Sequence, residues 1–154
     1  MTKKNSGFTL IELLVVIGIL GVLLAIVLIA INPARQFAQA NNTARRSDVN
    51  SLLNAIHQSA ADNKGILPTG MVGIGASAVS ISTAGADICN AISPTYIAQL
   101  PVDPTFVPSA PIGNCTGAYD TGYQVSVDAS GRVTVYAPRA EAVGTVTPVI
   151  AVTR

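Results

Sequence analysis

Hydrophobic and polar positions divide the chain into stretches of different period. Residues 1–7, Met-Thr-Lys-Lys-Asn-Ser-Gly, are polar and basic. From Leu10 to Ile31 the chain is almost unbroken apolar sequence, with Glu12 as its one charged residue. About 20 such residues at 1.5 Å each cross a hydrocarbon core of roughly 30 Å, so this stretch predicts a membrane-spanning helix. From Pro33 to Lys64 the pattern becomes polar and amphipathic. Val49, Leu52, Leu53, Ile56 and Ala60 follow helical spacing and mark one buried stripe. Arg45, Arg46 and Asp48 are read as lying off that stripe, on a solvated face. Lys64-Gly65 reads as the helix end, with glycine at the C′ position.

Between the two helical stretches stands Asn32-Pro33. Asn32 can cap a second helix that opens on Pro33. Alternatively one helix continues through a proline kink, and the single bent helix is the version expected. Gly18 and Gly21 interrupt the apolar run at G-x-x-G spacing, compatible with close helix packing or with the ordinary glycine content of membrane helices.

Beyond Gly65 the period changes to two. Ala78–Ser82 alternates over a short strand. Tyr123–Val127 alternates, Asp128-Ala129-Ser130-Gly131 supplies a turn, and Arg132–Ala137 alternates again, which predicts a β-hairpin. A lone hairpin is marginal, so at least one further strand is expected to join it. Ser93–Ala98 reads as one helical turn with Ser93 as its N-cap. Gly144–Arg154 alternates weakly around Pro148 and reads either as an edge strand or as a tail.

Composition adds constraints. With 154 residues there is room for one modest domain beside the apolar stretch. The net charge of +1 gives no reason to expect nucleic acid as a partner. Lys3 and Lys4 precede the apolar run, which places the N-terminus in the cytoplasm and the rest across the membrane. The apolar stretch is too long for a secretory signal, and no A-x-A site follows it. Cys89 and Cys115 do not form a CxxC pair, so zinc or thioredoxin-like chemistry has no support. Outside the cytoplasm a disulfide between them is the expected state, two buried thiols being the alternative.

The residues Lys3-Lys4-Asn5-Ser6-Gly7, followed by Phe8-Thr9-Leu10-Ile11-Glu12-Leu13, resemble the leader and helix start of type IV pilins and pseudopilins. The resemblance covers about the first 30 residues. It implies cleavage between Gly7 and Phe8 by a prepilin peptidase, methylation of the new Phe8 amine, and a role for Glu12 in assembly. A carboxylate in the apolar run is costly, and the amine of a neighbouring subunit can answer it. Such a contact is head-to-tail and builds an open helical filament. Snorkelling of Glu12 to the membrane face is the blander reading.

The expected architecture is then α+β and pilin-like. Residues 1–7 are a cleaved leader, 8–31 a transmembrane and filament-core helix, and 32–64 its amphipathic second half. Residues 65–154 form a head carrying a small antiparallel sheet. The expected partners are copies of the chain itself, the prepilin peptidase, an inner-membrane assembly platform and, before assembly, lipid. Localisation is the bacterial inner membrane, then an extracellular pilus or periplasmic pseudopilus.

Catalytic chemistry is not expected. His57 is the one histidine and has no nucleophile or second ligand at useful spacing. Leu100-Pro101-Val102-Asp103-Pro104 resembles a stretch that precedes the sheet in many pilin-like proteins. Here it continues Thr105-Phe106 rather than Trp-Gly, so a calcium site on Asp103 or Asp120 is not expected, and a pilin is favoured over a secretion pseudopilin. No cofactor is called for. The rival from another class is a monomeric single-pass membrane protein whose head binds a ligand.

Overall fold

The computed structural model describes residues 7–154. The basic leader, apart from Gly7, lies outside the described residues.

The apolar stretch forms α1, Leu10–Ile31. Its large side chains, from Leu10 to Ile29, are exposed among the described residues. Helix α1 ends at Asn32, which adopts a left-handed conformation at φ 47°. A second helix, α2, then runs Pro33–Asp62. The Arg35 N–H donates to the Asn32 carbonyl at 3.1 Å and to its side-chain Oδ1 at 3.4 Å. The long N-terminal helix expected from sequence is thus present, but it is divided at Asn32, with a break where a bend was expected. Asn32 tolerates the left-handed turn better than most residues, and the fixed φ of Pro33 suits a first helical position. Residues up to Phe37 form one compact unit and Ala38–Arg154 the other.

In the second unit, the stripe on α2 is buried as expected. Val49, Leu52, Leu53 and Ile56 are fully buried. They join Ile81, Ile88, Ile92, Leu100, Tyr123, Val125, Val133 and Val135 in one core cluster. Each such side chain stabilises the fold by roughly 1.5–3 kcal/mol relative to exposure. At the end of α2 it is Lys64, not glycine, that occupies the left-handed C′ position, at φ 59°. The Gly65 N–H donates to the Ala60 carbonyl at 2.7 Å and closes the helix end.

The sheet is four-stranded and antiparallel, in the order β1-β2-β3-β4. Its strands are β1, Val79–Ser82; β2, Asp120–Val127; β3, Val133–Tyr136; and β4, Ala151–Thr153. The hairpin β2–β3 pairs Val125 with Val135 and Val127 with Val133. At its turn Gly131 takes φ 78°, and Asp128 Oδ1 accepts from the Ser130 and Arg132 N–H groups at 2.8 and 3.0 Å. Both additional strands are present: β1 on one side of the hairpin and β4 on the other. The weakly alternating C-terminal segment thus supplies an edge strand.

Between β1 and β2 lies a long connection. It holds a short helix, α3, Cys89–Ile92, which precedes Ser93; Ser93 is its C-cap and not the N-cap of a following turn. The Ser93 hydroxyl donates to the Ala98 carbonyl at 3.2 Å. Cys89 and Cys115 are disulfide-bonded across this connection.

Candidate functional site

Two places carry concentrated polar chemistry: the start of α1 and the inner flank of α2. Each lies within its own unit.

At the start of α1, Phe8 is 89% exposed and, among the described residues, no atom crowds Gly7. Thr9 is the N-cap, and Thr9 and Glu12 form a capping box. The Glu12 N–H donates to Thr9 Oγ1 at 3.3 Å. In return Glu12 Oε2 accepts from the Thr9 N–H at 2.9 Å and from the Thr9 hydroxyl at 2.8 Å. Thus the Glu12 carboxylate satisfies the Thr9 N–H and the Thr9 hydroxyl oxygen satisfies the Glu12 N–H. Among the described residues Oε1 accepts nothing. Both members of the box lie after the Gly7–Phe8 bond, so a cut there leaves the box intact.

The inner flank of α2 holds a buried charge cluster. Arg45 and Asp103 are both fully buried. Arg45 Nε donates to Asp103 Oδ2 at 2.8 Å and Nη2 to Oδ1 at 3.1 Å, a bidentate fork. Nη2 also donates to Thr105 Oγ1 at 2.9 Å. Nη1 donates to Asn42 Oδ1 at 3.0 Å and to Glu141 Oε2 at 2.8 Å. All five guanidinium N–H groups therefore have acceptors. Burial disfavours the Arg45 charge, but the bonds to Asp103 and Glu141 outweigh it and raise its pKa. Burial likewise works to raise the Asp103 pKa, but Arg45 and the Thr105 hydroxyl and N–H hold it below the ordinary value. Arg45 and Asn41 hold the Glu141 pKa down as well.

Glu141 is tied to α2 by its backbone too. Asn42 Nδ2 donates to the Glu141 carbonyl at 2.7 Å, and the Glu141 N–H donates to Asn42 Oδ1 at 2.9 Å. The segment between β3 and β4 is thereby strapped onto α2.

The expectation of a solvated Arg45 is thus overturned. Arg45 precedes Val49 by four residues and Leu52 by seven, so it sits on the buried stripe itself. That spacing was the available signal, and the residue's charge hid it. Only Arg46 of the pair is presented to solvent. Asp48 is half-buried and accepts the Tyr123 hydroxyl at 2.7 Å. Burial, first, raises the Asp48 pKa, and burial together with Asp48 raises that of Tyr123. His57 is half-buried, and its Nε2 has no hydrogen-bond partner among the described residues. Asp103 and Asp120 are not brought together as ligands: Asp103 is committed to Arg45 and Thr105, and Asp120 accepts the Gly122 N–H at 2.9 Å. Among the described residues there is no cluster of three His, Cys, Asp or Glu side chains fit for a metal.

A family model described as the prokaryotic N-terminal methylation motif matches residues 2–28. No curated protein and no solved structure matches the chain. The motif is the prepilin-type cleavage motif of type IV pilins and pseudopilins, and it supports a pilin-like or pseudopilin protein. It implies processing by a prepilin peptidase and polymerisation. With the apolar α1 it fits an inner-membrane-anchored precursor.

Proposed function

We propose that the chain is the structural subunit of a type IV pilus-like filament, cut between Gly7 and Phe8 and methylated at Phe8. One observation carries this reading. The methylation motif, matched over residues 2–28, runs into a 22-residue apolar helix whose large side chains from Leu10 to Ile29 are exposed and whose one acid sits in the first turn. A helix apolar on every side is covered by lipid or by other apolar helices. Lipid covers it in the precursor, and copies of itself cover it in the filament. The amine of Phe8 on one subunit meets Glu12 of the next at Oε1, while Oε2 stays with Thr9.

A pilus subunit is favoured over a secretion pseudopilin. The Asp103 carboxylate is consumed by Arg45 and Thr105, and Thr105-Phe106 replaces Trp-Gly. The precursor resides in the inner membrane with its N-terminus cytoplasmic and is handed to an assembly platform. The head has no catalytic role in this reading.

Intact-mass measurement on the chain isolated from its native cell tests the reading. The expected mass is that of residues 8–154 plus one methyl group. A chain retaining residues 1–7 points instead to a single-pass membrane protein and overturns the proposal.

A further inference from the structure

The two flanks of α2 carry opposite charges in two different grooves. Arg46 and Asp48 are two residues apart on the helix. Their side chains therefore leave it about 200° apart, at heights differing by only about 3 Å. On one flank Arg46 lines a groove with Thr43, Val143, Val146 and Pro148. On the other Asp48 lines a groove with Ser51, Ile97, Pro101 and Pro111. The Arg46 guanidinium makes no ion pair among the described residues. Asp48 spends Oδ2 on Tyr123, and its Oδ1 accepts no bond among them. A groove with apolar walls and one carboxylate suits a long aliphatic side chain ending in a cation. The opposite groove presents such a side chain.

We propose that these grooves are the two halves of a lateral contact between copies of this chain, with Arg46 of one copy entering the Asp48 groove of the next. Charge complementarity selects a second copy as the occupant. The halves are different surfaces, so the contact is heterologous and passes from copy to copy. Because the charges stand at nearly the same height on α2, neighbouring heads sit side by side with little axial offset. The inference rests on the filament reading and adds the surface through which heads meet.

The test uses full-length chain assembled in cells and recovered as sheared filaments. Arg46→Glu or Asp48→Lys alone should lower filament mass by about tenfold, the scale of one complementary charge contact. Combining the two reverses both charges and should restore most of it. A second measurement does not depend on those charges. Val146→Cys and Gln99→Cys chains, expressed separately or together, are treated with a short bis-maleimide; Cys89 and Cys115 are already bonded to each other. Cross-linked dimers should form only when both chains are present. Dimers from either single variant, or filaments that yield only monomer, overturn the groove contact while leaving the filament reading intact. If the unaltered chain yields no filaments, that reading fails and the contact with it.

Discussion

Replacing Arg45 by methionine tests the energetics of the charge cluster. Methionine keeps an unbranched stem of similar length, so little packing is lost. What remains is Asp103, fully buried, still holding Thr105 but without its cation. Removing one partner of a buried pair costs about 3–5 kcal/mol, because the other charge is left uncompensated. The Glu141 contact adds little, since its carboxylate is 37% exposed and screened by solvent. For a unit the size of Ala38–Arg154, each kcal/mol moves the melting temperature by roughly 4 °C. The expected fall is therefore about 12–20 °C at neutral pH. All four tyrosines (Tyr96, Tyr119, Tyr123 and Tyr136) lie after Ala38 and tryptophan is absent, so tyrosine fluorescence of detergent-solubilised chain reports this unit alone. The pH dependence fixes the cause. In the unaltered chain the Asp103 pKa is depressed, so its contribution is present above the ordinary carboxylate range and is lost as pH falls through its folded value. In Arg45→Met burial acts unopposed by the cation, and protonation relieves the penalty. The gap between the two proteins should narrow on acidification. A fall under about 4 °C, or a gap unchanged by acid, refutes an uncompensated Asp103 charge as the source.

Three further outcomes follow from particular contacts. Gly122→Ala should destabilise the second unit by about 1–3 kcal/mol, read by the same fluorescence melt. Gly122 takes φ 75°, and an added Cβ would stand 3.0 Å from Asp103 Cβ and 3.1 Å from a Phe106 ring carbon. Cys89→Ser with Cys115→Ser should cost about 2–4 kcal/mol in urea titration, given a sequence separation of 26. Glu12→Ala should leave the chain in the membrane fraction but abolish sheared filaments; normal filaments from it would remove Glu12 from the assembly contact.

The elements legible in the sequence were those written in local periodicity. The apolar run, the Val49–Ala60 stripe and the Tyr123–Tyr136 hairpin each announce themselves within a short window. The start of α1 was legible as a motif, Gly7 through Leu13. Arg45 was not, because binary patterning treats a charge as solvent-facing. What buries it is Asp103, 58 residues away, and Glu141, 96 away. No local pattern encodes that meeting. At Asn32 a kink was expected rather than a cap, since Asn-Pro supports both until the left-handed φ is known. The cap of α3 was misplaced because Ser93 before a proline carries the same composition at either end of a helix.

The placement of the disulfide bears on the order in which the second unit comes together. Strand β1 ends at Ser82, and its partner β2 begins at Asp120. A chain emerging N-terminus first therefore displays β1 long before β2 exists to receive it. Cys89 and Cys115 both fall inside the intervening segment, and the loop they close contains no strand. Oxidation can thus precede strand pairing without trapping a wrong register. Once the bond is made, the path from β1 to β2 shortens from roughly 37 residues to about a dozen. That lowers the closure entropy by about 1 kcal/mol. The cross-link thus shortens the connection across which β1 must find β2, without itself holding any strand.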